Sequence, residues 1–181
     1  MKKNYKLFFL AIIVLYLFIY INAQQQQPTA KPTPPPITVS QVRADVYEVK
    51  GGSGANCGFF IGEKEVIAID AKMDEESTKQ MIAEIRKLTP NPIKYVLLTH
   101  SDGDHVNGLT GFPQDVLIVA HQETRKHMDE AFKEPKLRAY LPGLTFFERL
   151  KIYSGSKVIE LLHFGLAHTS GDAVVYFPEE K

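Results

Sequence analysis

From Ile37 onward the chain alternates between two periods. Ile37-Thr38-Val39-Ser40 and Ala44-Asp45-Val46-Tyr47-Glu48-Val49 alternate apolar and polar residues, the pattern of strands with one wet face. Cys57 to Ile61 and Glu65 to Ile69 are short apolar runs around Gly62-Glu63-Lys64 and predict a hairpin. From Asp74 to Leu88 the period changes. Met81, Ile82, Ile85 and Leu88 recur at helical spacing, acids fill the first turn and Arg86 and Lys87 the last, and Pro90 and Pro92 stop the helix. Ile93 to Leu98 and Val116 to Ala120 read as strands, His121 to Phe132 as a helix, and Pro135 to Gly143 as a loop. Three further strands are expected at Arg149–Tyr153, Lys157–His163 and Ala173–Phe177. Strands, then helix–strand alternation, then strands again argue for a layered α/β architecture with a mixed sheet.

The N-terminus follows other rules. Lys2, Lys3 and Lys6 precede fifteen apolar residues, Leu7 to Ile21, and a small residue closes Ile21-Asn22-Ala23. This is the pattern of a secretory signal peptide over residues 1–23, with an uncleaved membrane anchor as the alternative. Residues 24–36, QQQQPTAKPTPPP, cannot bury a core and read as a linker, which puts the domain at 37–181. The implied location is periplasmic or extracellular. Removing residues 1–23 leaves 18 basic and 21 acidic residues, which offers no basic face for nucleic acid. Cys57 is the only cysteine, so no internal disulfide forms, and it reads as a small buried apolar residue.

The chemistry concentrates in Thr99 to Gly108, THSDGDHVNG, which leaves an apolar strand at its C-terminal end, where α/β proteins tend to place ligands. His100, Asp102, Asp104 and His105 are four metal-binding side chains within six residues, and Gly103 lets the backbone turn so that they converge. Such crowding needs a positive partner, and no Lys or Arg lies beside it in sequence. A second segment, Gly165-Leu166-Ala167-His168-Thr169-Ser170-Gly171-Asp172, also leaves a strand and offers His168. The other histidines read as bland: His163 as structural, His121 and His127 as solvated on a polar helix.

These two segments, in this order, resemble the metallo-β-lactamase-fold hydrolases, whose signature is His-x-His-x-Asp-His after a strand and a later Gly-x-x-His-Thr-x-Gly. The match runs from about Tyr47 to Lys181. The resemblance implies the N-terminal half to two-thirds of an αββα sandwich. It implies one metal held by His100, Asp102 and His168 and a second by Asp104 and His105 with later residues. Asp70, ending the Val66-Ile67-Ala68-Ile69-Asp70 strand, would fix an imidazole from behind. A hydroxide on the metals, one or two zinc ions with manganese or iron as substitutes, would attack a small ester, lactone, thioester or β-lactam, and Asp104 would orient it or handle its proton.

Two departures stand out. Asp102 replaces the family's usual histidine, which lowers the positive charge of the site and favours harder metals. The chain also ends at Lys181, before the family's bridging Gly-Asp and later histidine, so a fragment is expected. The alternatives are a non-catalytic exported domain that binds metal or a partner and, behind it, a phosphoesterase. The expected partner is a small molecule, with membrane contact only through the N-terminal segment, and the oligomeric state is left open.

Overall fold

The computed structural model describes residues 12–20 and 33–180. The expected signal peptide and linker fall largely outside these residues, and only 12–20, which are helical, and the linker's end are described. No described helix is long and apolar enough to cross a membrane. The chain divides into two compact units, Met1–Thr33 and Pro34–Lys181. The second begins inside the Pro-rich stretch, where the Gly52 amide donates to the Pro35 carbonyl at 2.6 Å.

That unit is built on a seven-stranded sheet with its strands in chain order: β1 (Thr38–Arg43), β2 (Val46–Lys50), β3 (Cys57–Ile61), β4 (Val66–Ile69), β5 (Ile93–Leu97), β6 (Leu117–His121) and β7 (Leu144–Phe146). The first four pair antiparallel and the last four parallel, with β4 common to both runs. The parallel half needs crossovers, and α1 (Glu75–Leu88) supplies the first. Asp74 caps it by accepting from the Ser77 amide at 2.7 Å. A second, three-stranded antiparallel sheet has the order β10 (Val174–Tyr176), β9 (Lys157–Leu162), β8 (Arg149–Ser154).

Alternation explains the two cores. Phe59, Ala68, Val96 and Ile118 point to one face, where they meet Met81, Ile82 and Ile85 of α1. Their neighbours Phe60, Ile67, Leu97 and Val119 point to the other and pack against Ile159 and Leu161 of the small sheet. Both faces of β3 to β6 are covered, so these strands read as continuous apolar runs.

The structure corrects three expectations. The loop at 135–143 opens with a one-turn helix, α4 (Pro135–Arg138), started by Pro at its first position. Leu144–Phe146 forms an unforeseen strand, too short to show a period. His121 is not solvated: it ends β6, is 1% exposed and accepts from the Glu123 amide at the start of α3 (Gln122–Ala131).

Candidate metal centre

Thr99 to Gly111 is not a plain loop. After β5 the chain makes a short helix, α2 (Gly103–Val106), and a 3-10 turn over Asn107–Gly111. Asp102 stands at the N-cap, yet its side chain makes no capping bond. Its carboxylate turns to the histidines instead, with Oδ2 2.8 Å from His168 Nε2 and 3.8 Å from His100 Nε2. Ligating atoms of His100, Asp102 and His168 all lie within 4.8 Å of one another. Three ligands on one zinc stand about 3.5 Å apart, given bonds of about 2.0–2.2 Å. The donor set therefore fits a divalent ion with small movements.

Asp70 organises the histidines. It sits just past β4 with a left-handed backbone (φ 60°), which Asp tolerates better than most residues. Its Oδ1 accepts from the Thr99 amide at 2.7 Å, and its Oδ2 accepts from the Thr99 hydroxyl at 2.7 Å. His105 Nδ1 lies 2.8 Å from the same Oδ2. A carboxylate only accepts, so Nδ1 carries the proton and His105 Nε2 presents its lone pair. That atom faces Asp104, whose Oδ2 is 3.6 Å away. The Thr99 hydroxyl has spent its proton on Asp70, so at 2.9 Å it accepts from His100 Nδ1. This leaves His100 Nε2 free as well. One carboxylate thus sets the tautomer of both rings so that their outer nitrogens can ligate. The same bond to Asp70 is the main cause holding the His105 pKa above its ordinary value.

His168 arrives on a loop after β9 that Asp172 ties together. Asp172 Oδ2 accepts from the His168 amide at 2.8 Å, and Oδ1 accepts from the Thr169 amide and hydroxyl at 2.9 and 2.5 Å. Burial opposes ionisation of Asp172, but these bonds outweigh it and hold its pKa below the usual carboxylate value. His127, expected to be solvated, lies between the two loops. Its ring nitrogens are each 3.3 Å from a serine hydroxyl, Ser101 on one side and Ser170 on the other. His163 is structural, its Nδ1 donating to the Asp172 carbonyl at 2.8 Å.

Of the five expected ligands, His100, Asp102 and His168 converge, and the His105 ring lies 4.1 Å from that of His100 with Asp104 beside it and Asp70 behind. Thr99, Asp172 and His127 were missed as supports. Only Thr169-x-x-Asp172, a short polar return loop, carried a local signal. Beside His100 opens a cleft of about 210 Å³ between Leu162, Phe164 and Val174. It shares Leu162 and Phe164 with a larger cleft of about 620 Å³.

The family model of the Metallo-beta-lactamase superfamily matches residues 51–181. The chain belongs to this superfamily. It is 29% identical over 128 residues to a metallo-beta-lactamase type 2 of Elizabethkingia meningoseptica, covering 70% of this chain and 49% of that protein. It is 26% identical over 149 residues to the 2,4-dinitroanisole O-demethylase subunit alpha of a Nocardioides strain, covering 81% of this chain and 44% of that protein. The chain thus spans about half the length of these curated relatives. Among solved structures, a metallo-beta-lactamase from Pontibacter korlensis superposes with a TM-score of 0.67 at 22% identity, covering 79% of this chain and 67% of that one. That likeness supports the αββα fold.

Proposed function

We propose that this chain carries the metal-binding part of a hydrolase that acts on a small ester, lactone, thioester or β-lactam, with zinc as its ion. One observation carries the reading: two imidazoles are oriented by Asp70 so that their free nitrogens face Asp102 and Asp104. His100, Asp102 and His168 would hold one ion, and Asp104 and His105 would contribute to a second. A bound zinc supplies an acidified water and polarises the substrate's oxygen. The remaining work falls to the chain. Asp104, whose Oδ2 stands 3.6 Å from His105 Nε2, would orient the attacking water or take up its proton. His168 Nε2 donates to Asp102 at 2.8 Å, so the ring would have to pass to its other tautomer, with the proton on Nδ1, before Nε2 could ligate. The cleft beside His100 would seat a small molecule. The names of the two relatives point to different substrates, which keeps the substrate class broad. Export, through residues 1–23, is part of the proposal and rests on the sequence pattern alone.

The test is metal content first and turnover second. The purified chain should take up zinc, and Asp102→Ala should lose most of it. Zinc occupancy indifferent to Asp102→Ala removes Asp102 from the ligand set. The zinc-loaded chain is then assayed on a lactone, a thioester and a chromogenic β-lactam. Metal bound with no turnover of any of them would favour a binding domain over a hydrolase.

A further inference from the structure

The acids of the His100–His105 stretch lack a cation beside them in sequence, but the fold brings one. Lys72 is fully buried, 0% exposed. Among the described residues its ammonium has one hydrogen bond, to the Ala55 carbonyl, and no carboxylate in contact. A buried ammonium with a single carbonyl partner is costly unless negative charge close by offsets it.

That charge comes from the site. Lys72, Asp70 and Asp104 all act on the Cys57 thiol, which burial, the dominant cause, pushes up to about 12. Lys72 also helps lower the Asp74 pKa. The geometry agrees: the Lys72 ammonium and the Cys57 thiol meet at the Ala55 carbonyl, with Sγ 3.7 Å from it, and the same thiol lies 2.7 Å from the carbonyl of Ala71, the residue after Asp70. The backbone keeps it there. The Ala71 amide donates to the His105 carbonyl at 2.8 Å, and the Gly108 amide to the Lys72 carbonyl at 2.7 Å. Ala55, which receives the ammonium at its carbonyl, donates its own amide to the Asp104 carbonyl at 3.4 Å. Gly108 permits this close approach, since a Cβ there would stand 2.4 Å from the Lys72 carbonyl oxygen.

We propose that Lys72 is the buried counter-charge of the metal centre, balancing Asp70 and Asp104 before a cation arrives and weakening the grip on that cation afterwards. It is a positioning residue and touches no ligating atom. The inference rests on reading His100, Asp102, Asp104, His105 and His168 as ligands. It also gives the replacement at Asp102 a context: an added carboxylate raises the negative charge of the site, and a buried cation offsets it.

The experiment measures zinc affinity of the full chain by competition with a chromophoric chelator, for wild type, Lys72→Met and Lys72→Arg. A unit charge repels a divalent ion over several ångströms, so its removal should tighten zinc binding roughly threefold or more. Lys72→Arg should return the affinity toward wild type. A folded Lys72→Met that binds zinc equally or more weakly overturns the proposal. If wild type itself binds no zinc, the ligand reading fails, which is a separate result. Should Lys72→Met not fold, the Lys72 ammonium resonance of isotope-labelled wild type is followed during zinc titration. A resonance that moves with occupancy supports the role, and one that stays put rejects it.

Discussion

The two loops that bring the candidate ligands together are built differently. The first, after β5, is braced from several sides. Asp70 holds Thr99 and His105, and the backbones of Ala55, Ala71 and Lys72 hold α2 and the turn after it. The side chains of His100 and His105 are 13% and 17% exposed. The second loop, after β9, is open. Its Phe164 and Leu166 are 80% and 82% exposed, and the His168 side chain is 69% exposed. Asp172 ties its turn and His127 reaches across, while its end is anchored by the Thr124 hydroxyl on the Gly171 carbonyl and the Ala173 amide on the Thr99 carbonyl, both at 2.7 Å. The first loop is thus a candidate half-site formed in advance, whereas the second brings His168 on its open, exposed part. Preorganisation removes the ordering cost of binding, so most of the metal affinity should reside in the first loop.

The largest effect expected from this contrast is that of Asp70→Asn. The variant keeps the shape but places an amide N–H where two donors, the Thr99 hydroxyl and His105 Nδ1, now find an acceptor. Zinc affinity should fall about 10–100-fold, the usual cost of losing a residue that orients a ligating imidazole. Stability should fall by about 1–3 kcal/mol, because a buried hydrogen-bond partner is lost. Both are read by chelator competition and chemical denaturation. An affinity within about twofold of wild type would mean that the half-site is not formed in advance.

A smaller effect is expected from Asp172→Ala. It frees the His168 and Thr169 amides, which are close to solvent, so stability should change by about 1 kcal/mol or less. Zinc affinity should fall by about tenfold, the low end for an outer support. If it falls as far as in Asp70→Asn, the two loops are equally built and the contrast is wrong.

Much of this was legible in the sequence, for reasons that residues make plain. The period shift at Asp74 located α1 because Met81, Ile82 and Ile85 must face one sheet. The five candidate ligands were legible because few other reasons crowd imidazoles and carboxylates at strand ends. Their supports were hidden. Thr99 reads as an ordinary strand-end residue until Asp70, 29 positions earlier, lies beside it across a parallel strand pair. Lys72 looks like a surface lysine until α2 and its following turn close over it. His121 carried the helix's polar signature because Glu123, Arg125 and Lys126 follow it, while its own side chain belongs to the sheet.

His121 also marks where the two regions meet. Its ring stacks on His163, with centroids 3.9 Å apart, and His163 in turn donates to the Asp172 carbonyl in the second loop. Burial first, and the charge of His163 second, push the His121 pKa below its ordinary value. The folded state therefore favours the neutral ring. Its contribution to stability is present above about pH 6.5, the ordinary value for histidine, and is lost as pH falls below that value. His105, held high by Asp70, works in the opposite direction, so the metal-free protein alone gives an ambiguous profile. The informative quantity is the difference in melting temperature between wild type and His121→Asn, measured without metal from pH 7.5 to 5. Asparagine keeps an N-cap acceptor for the Glu123 amide and removes the titration. The larger side chain lost gives a constant offset, and His105 cancels because both proteins contain it. Wild type should lose ground to the variant by on the order of 2 °C as pH falls. A difference that stays flat with pH would show that the stacked pair does not couple the two regions through charge.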